Sequence, residues 1–153
     1  MLDTLAPDFT LPATGDQTLT LSAFKGQYVV LYFYPKDNTS GCTQEGLDFA
    51  AAFDGFAAHD CVILGLSRDS VKTHENFKAK QGFPFDLVAD KEETACQLYH
   101  VIKPKKMYGK DVRGIERSTF LIDREGIIRR EWRGVKVTGH VDAVLTALKE
   151  LYQ

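Results

Sequence analysis

Tyr28-Val-Val-Leu-Tyr-Phe-Tyr34 is an unbroken apolar run, closed abruptly by Pro35-Lys-Asp-Asn-Thr-Ser-Gly-Cys42. Its aromatic and β-branched side chains predict a buried strand. Past Cys42, the residues Leu47, Phe49, Ala50, Phe53, Phe56 and Ala57 recur at mostly helical spacing. A buried strand, a polar loop and an amphipathic helix in succession are one unit of an α/β layer fold.

That order puts Cys42 where the loop turns into the helix. The first amides of a helix are unpaired and carry partial positive charge, which favours loss of a thiol proton there. Most lone cysteines are inert, buried, small hydrophobes. Cys61 opens the apolar stretch Cys-Val-Ile-Leu-Gly-Leu66, and Cys96 lies in Glu-Thr-Ala-Cys-Gln-Leu-Tyr99, so both read as core. Cys42 has polar neighbours and a flanking Gly41, and reads as exposed and reactive.

The remaining elements follow by patterning. Thr18 to Leu21 alternates as an early edge strand, and Leu21 to Gly26 is a short turn. The helix after Cys42 runs to about His59-Asp60, and Cys61 to Ser67 is a second strand. Ser70 caps a helix that runs to Gln81, with Gly82 as its stop. Phe85 to Ala89 is a strand and Glu92 to Tyr99 a short helix. Arg117 to Ile122 and Ile127 to Trp132 flank the turn Asp123-Arg-Glu-Gly126 and predict a hairpin. A last helix from about Gly139 carries Val141, Val144, Leu145, Leu148 and Leu151 on one stripe. Strands alternating with helices before a terminal hairpin predict a mixed sheet covered on both faces. The whole chain, 1–153, reads as a single domain.

Several functions are excluded. The net charge of −2 provides no field for nucleic acid. Lys103, Lys105, Lys106 and Lys110 cluster, but Pro104 and Gly109 among them predict a solvated loop. No stretch approaches the ~20 apolar residues of a membrane span. The N-terminus has neither a basic start nor a cleavable apolar segment, so a cytoplasmic location is expected. Three cysteines do not make a secreted disulfide framework. Glu45 stands where a Cys-x-x-Cys motif needs its second thiol, which argues against local dithiol exchange. His59, His74, His100 and His140 are scattered, and Cys96 with His100 makes only two ligands of the four a closed zinc site needs. No metal or organic cofactor is expected.

Pro35, Thr39 and Cys42 fit Pro-x-x-x-Thr-x-x-Cys, which resembles the active-site loop of the peroxiredoxins. The longer stretch from Tyr32 to Glu45 is similar to the bacterioferritin-comigratory, or Q-type, subfamily. Ala6-Pro-Asp-Phe9 resembles that family's N-terminal signature, and Arg117-Ser-Thr-Phe-Leu-Ile-Asp123 the strand that carries its active-site arginine. The resemblance implies a thioredoxin-like α/β fold with a central mixed β-sheet flanked by helices and an N-terminal extension. It implies a thiol peroxidase that reduces hydrogen peroxide and organic hydroperoxides. Cys42 is then the attacking thiol, Thr39 and Arg117 hold the peroxide and stabilise the departing charge, and Pro35 fixes and shields the loop. Acidifying the thiol alone gains little, because an anionic sulfur becomes a weaker nucleophile as its pKa falls. Oriented donors must supply the rest.

The sequence departs from the family where the oxidised cysteine is resolved. Many Q-type members carry a second cysteine five positions after the first, where this chain has Leu47. Others carry it in the following helix, at the place of Lys78. Ser40 stands where proline commonly precedes the Gly-Cys pair, an expected loosening of the loop. The chain thus resembles a one-cysteine type regenerated by an external donor: thioredoxin, glutaredoxin or a low-molecular-weight thiol. Unconventional use of Cys96 or Cys61 is the rival. A monomer or weak homodimer is implied. Two other functions fit the same thiol: a non-catalytic redox sensor or holdase, and a glutathione-dependent disulfide reductase.

Overall fold

The computed structural model describes residues 1–152, and of Met107 the backbone only. Seven strands form one sheet in the order β2 (Gln17–Thr20), β1 (Thr10–Ala13), β5 (Asp86–Ala89), β4 (Cys61–Ser67), β3 (Tyr28–Phe33), β8 (Ser118–Ile122) and β9 (Ile128–Arg133). The run that opens the sequence is the central strand β3, Tyr28–Phe33, and every one of its residues is buried. It lies parallel to β4 (Cys61–Ser67), which lies parallel to β5 (Asp86–Ala89). On its other side β3 pairs antiparallel with β8 (Ser118–Ile122), which forms the expected hairpin with β9 (Ile128–Arg133).

Side-chain alternation along β3 divides the core. Tyr28, Val30, Tyr32 and Tyr34 join one apolar cluster, and Val29, Leu31 and Phe33 the other. The first cluster is roofed by α1 (Ser40–Ala51), α2 (Phe53–Ala57), α3 (Val71–Gln81) and α5 (His140–Leu151), through Phe49, Phe56, Phe77, Val141, Val144 and Leu148. The second is covered by the N-terminal segment and by α4 (Thr94–Leu98), through Ala6, Phe9, Ala95, Cys96 and Tyr99. This is the thioredoxin-like mixed sheet with helices on both faces.

Two local expectations are corrected, and one strand is added. The helix after Cys42 does not run unbroken to His59; it stops at Ala51 and restarts as α2 at Phe53. The strand β1 (Thr10–Ala13) pairs with β2 (Gln17–Thr20) to build the N-terminal extension. Pro12 removes a donor and masks β1 in the sequence. The lysine cluster is not a loop but a hairpin, β6 (Ile102–Met107) with β7 (Lys110–Ile115). Tyr108 and Gly109 close it at φ of 53° and 77°. Two successive positive φ values are what a type I′ turn requires, and a tyrosine at the first of them hides the signal.

Candidate active site

The parallel order of β3 and β4 sends the chain off the C-terminal end of the sheet's centre, where open α/β sheets place their sites. Tyr34 makes the last sheet-like bond, its amide donating to the Leu66 carbonyl at 3.0 Å. Half-buried Pro35, which has no N–H, then ends the ladder. Thr39 is the N-cap of α1 in an extended conformation (φ −84°, ψ 155°). Its hydroxyl donates back to the Lys36 carbonyl at 2.9 Å rather than capping the helix. The oxygen lone pairs of Thr39 therefore stay available to accept. The first helical bond runs from the Thr43 amide to the Thr39 carbonyl at 2.9 Å, so the amides of Ser40, Gly41 and Cys42 precede it.

Cys42 is the third residue of α1 and is 2% exposed. This corrects the expectation of an exposed thiol: the ring-rich cluster beneath α1 covers it. Arg117 directly precedes β8, whose register sets Ser118 opposite Phe33 at the end of β3. The antiparallel pairing thus brings an arginine 75 residues distant to the helix start. Its Nη2 donates to Cys42 Sγ at 3.5 Å, and its Nη1 to Glu45 Oε1 at 2.7 Å. Gly41 permits this approach, because a Cβ there would lie 3.1 Å from Arg117 Nη2.

Glu45 was not foreseen as part of the site. It lies three residues after Cys42, hence on the same helix face, and that spacing is the signal that could have found it. It is fully buried, and its Oε2 has no partner. Burial pushes its carboxyl up to about 7, against the opposing pull of Arg117. His140, one of the four scattered histidines, is the first residue of α5. Its ring stands edge-on to Phe49 and Trp132, with Nε2 2.8 Å from Thr119 Oγ1. Burial and the Arg117 charge hold it down to about 4, so it is neutral beside the guanidinium. Lys105 donates to the Ile115 carbonyl at 2.7 Å, and burial and then Arg117 lower its pKa.

The other two thiols lie elsewhere. Cys61 begins β4 and pairs with Tyr28, at the opposite end of β3 from the Cys42 loop. Six strand residues at ~3.3 Å each separate the two positions, far beyond the about 7 Å between Cα atoms that a disulfide allows. Burial pushes the Cys61 thiol up to about 12. Cys96 sits in the cluster under the other face of the sheet, with α4. Burial first, and then Asp90, push its thiol far up. Leu47 is on the exposed side of α1, and Lys78 on α3 pairs with Asp86 at 2.8 Å. Among the described residues, one group could offer metal ligands, Asp37, Asp69 and His74. Its ligand atoms already hydrogen-bond to protein partners and number only three. No helix among the described residues is long and apolar enough to cross a membrane.

A sequence model of the AhpC/TSA family matches residues 2–131. The Xanthomonas campestris protein named peroxiredoxin Bcp is 57% identical over 142 residues, which are 93% of this chain and 89% of that protein. The Bacillus subtilis peroxiredoxin Bcp is 49% identical over 146 residues, 95% of this chain and 93% of the other. A solved structure of the Xanthomonas campestris bacterioferritin comigratory protein superimposes with a TM-score of 0.90 at 54% identity, covering 95% of this chain and 92% of that one. With the helix start, the arginine and the Pro-x-x-x-Thr-x-x-Cys loop in one place, this chain belongs to the AhpC/TSA family and, within it, to the Bcp (Q-type) peroxiredoxins.

Proposed function

We propose that this single-domain chain is a thiol peroxidase with Cys42 as its attacking residue. The observation that carries the reading is the 3.5 Å approach of Arg117 Nη2 to Cys42 Sγ at the first turn of α1. The Cys42 thiolate attacks the terminal oxygen of R–O–O–H. The S–O bond forms, the O–O bond breaks, and R–O⁻ leaves, taking up a proton to become the alcohol or water. Charge moves from sulfur to the departing oxygen. Arg117 and the amides of Gly41 and Cys42 are fixed donors on that path, and Thr39 Oγ1 accepts a hydrogen bond from the peroxide O–H, whose hydrogen stays on the oxygen transferred to sulfur. Pro35 stiffens the loop between β3 and Thr39. Glu45 holds the guanidinium from behind.

The product is a sulfenic acid, which a thiol must clear. Cys61 lies at the far end of β3 and Cys96 under the opposite face, which supports the one-cysteine reading with an external donor: thioredoxin, glutaredoxin or a low-molecular-weight thiol. The related Xanthomonas campestris protein was studied for alkyl peroxide reduction in trapped intermediate/ligand complexes, which favours organic hydroperoxides beside hydrogen peroxide here. The test is peroxide consumption with each of the three donors as sole reductant. Turnover with one of them, lost in Cys42→Ser, is the expected result. A single stoichiometric oxidation with no turnover would make the chain a sensor. Intact mass after one equivalent of peroxide tests regeneration. A dimedone adduct on Cys42 is expected, and a loss of two hydrogens mapped to a Cys42–Cys96 bridge overturns the one-cysteine reading.

A further inference from the structure

Charge is unevenly placed on this chain, and its basic end is the β6–β7 hairpin. Lys103, Lys105, Lys106, Lys110 and Arg113 stand there against a single acid, Asp111. The whole chain carries 19 basic and 21 acidic residues, so five against one on the hairpin leaves the remainder at −6. The strand register sorts these charges by face, because residues directly opposite across an antiparallel pair lie on one side of it. Lys103 is opposite Gly114, Lys105 opposite Val112, and Lys110 opposite Met107. That face therefore presents three lysine positions and no acid. The other face holds Lys106 with Asp111, 3.8 Å apart, and Arg113, whose guanidinium donates twice to Glu93.

The lysine face adjoins the Cys42 site. Ile115 ends β7, and Glu116 and Arg117 follow it directly. The Lys105 side chain crosses Gly114, where a Cβ would lie 3.4 Å from its Nζ, and donates to the Ile115 carbonyl at 2.7 Å. The charges of Arg117 and Cys42 both act on its amine. From Lys103 to the residue opposite Lys110 is four strand steps, about 13 Å, which is wider than one small anion. At the tip Tyr108 is 98% exposed, and Val112 beside Lys105 is exposed as well. An exposed aromatic beside a one-signed charged face is the anatomy of a protein-docking surface. A nucleic acid would lie across the remainder of the chain too, whose charge of −6 repels it, whereas a small protein needs to touch only the hairpin.

We propose that the Lys103, Lys105 and Lys110 face of the β6–β7 hairpin, with Tyr108 at its tip, docks a protein thiol donor that is acidic around its reactive cysteine and steers it to oxidised Cys42. This rests on the reading of Cys42 as the peroxide-reactive thiol. The face binds and orients the donor and takes no part in the exchange. In that exchange the donor sulfur joins Cys42 Sγ, the S–O bond of the sulfenic acid breaks, and its hydroxyl leaves as water with the thiol proton. Steering by charge raises the rate of encounter and fades as salt screens it, over a Debye length of about 10 Å at 0.1 M. Hydrogen peroxide is uncharged, so the oxidation half-reaction is insensitive to the charge of the hairpin.

Three variants test this. Lys103→Glu with Lys110→Glu reverses the face, Lys103→Gln with Lys110→Gln neutralises it, and Tyr108→Ser removes the aromatic tip. Lys105 stays, because its amine borders Arg117. Binding is read first and needs no activity: backbone amide NMR shifts of the Cys42→Ser chain as a thioredoxin of net negative charge is added. Shifts across residues 102–115 are expected, and they should vanish when the face is reversed. Stopped-flow reduction of preformed Cys42 sulfenic acid is then measured with that thioredoxin, with glutathione and with uncharged dithiothreitol, at low and at high salt. Reduction by thioredoxin should slow about tenfold or more in the Glu pair and about threefold in the Gln pair and in Tyr108→Ser. The two charge-linked losses should shrink at high salt. Reduction by dithiothreitol and oxidation by hydrogen peroxide should stay within about twofold of the parent, which also reports that each variant is folded. An unchanged thioredoxin rate in the Glu pair, or dithiothreitol slowed as much as thioredoxin, would overturn the docking face. Glutathione slowed as much as thioredoxin would overturn it too, by making the face a site for small anions. So would a DNA duplex that shifts residues 102–115 where thioredoxin does not. A parent chain that no peroxide oxidises would end the peroxidase reading instead, with the binding result still standing.

Discussion

Cys42 and Cys96 occupy the same place in two helices and face opposite charges. Each is the third helical residue, Cys42 after the N-cap Thr39 in α1 and Cys96 after the N-cap Glu93 in α4. Each is buried, at 2% and 0% exposure. They differ in the group that faces them. At Cys42 it is a guanidinium at 3.5 Å. At Cys96 it is a carboxylate: Asp90 Oδ2 accepts from the Cys96 amide at 2.8 Å, so the helix start already holds the protein's own anion. Burial and then that carboxylate keep the Cys96 proton on. A helix N-terminus alone therefore does not set a thiol's surroundings: at Cys96 burial comes first and the facing carboxylate adds to it, while at Cys42 a guanidinium faces the sulfur.

The largest expected effect breaks this comparison outright if it fails. Cys42→Ser should abolish peroxide reduction, and Cys96→Ser should leave it within about twofold, as expected for an inert core thiol. A donor-coupled peroxide assay on both variants checks this, and turnover retained by Cys42→Ser would reverse the assignment.

Next in size is the charge itself. Arg117→Ala should slow Cys42 oxidation by ~10²–10³, the usual cost of one preorganised donor. The measurement is stopped-flow oxidation, followed through Trp132, the single tryptophan, across a range of pH. If high pH fully restores the rate, Arg117 serves only to ionise the thiol. Arg117→Lys should recover part of the loss, because an ammonium cannot donate to Cys42 and Glu45 at once with the fixed fork of a guanidinium.

What the sequence made legible follows the range of the interactions. The strand Tyr28–Phe33, the Ser70 cap, the Gly82 stop and the α5 stripe are local patterns, and the structure repeats them. Ser70 Oγ accepts from the Thr73 amide at 3.2 Å, and Gly82 is left-handed at φ 71°. The place of Thr39 and Cys42 at a loop-to-helix turn is legible from one stretch of sequence, and the structure has them there, at the N-cap and third residue of α1. Arg117 was named through family resemblance, and only the β3–β8 register explains how it reaches Cys42. His74 and Asp37 stand 37 residues apart, and no periodicity links a loop acid to a helix histidine across a sheet end. The burial of Cys42 was hidden for the same reason. Its polar sequence neighbours suggest exposure, while its neighbours in space are Arg117, Glu45 and the rings of the core.

A smaller effect sharpens the comparison at Cys96. Asp90→Asn removes the facing carboxylate, but burial, the larger cause, remains. Alkylation of Cys96 in the native state should therefore change by less than about threefold, because access and not charge limits it. Cys61 and Cys96 should react fully only in denaturant. Peptide mass spectrometry after timed iodoacetamide treatment reads all three thiols. Native Cys96 reacting as fast as Cys42 in Asp90→Asn would show that charge alone keeps it silent.

The smallest effect belongs to the two groups that flank Arg117, and it is small because they oppose each other. Glu45 is pushed up to about 7 from an ordinary 4.5, by burial against the pull of Arg117. Its proton is held more tightly in the folded chain, so its contribution is full below about 4.5 and is lost as pH rises through about 7. His140 is held down to about 4 from an ordinary 6.5, by burial and then by Arg117. Its contribution is full above about 6.5 and is lost as pH falls through about 4. The two windows overlap and their slopes are opposite, so stability in the parent changes little across them. Each single variant should uncover the other group. Glu45→Gln should make stability rise with pH over the His140 window, and His140→Gln should make it fall over the Glu45 window. The double variant should be nearly flat again. Chemical-denaturation midpoints across that range read the slopes. Single variants sloping the same way would mean that the two groups are not the titrating pair. Opposite slopes would identify Glu45 and His140 as the titrating pair, each shifted by burial and each acted on by Arg117, though in opposite directions.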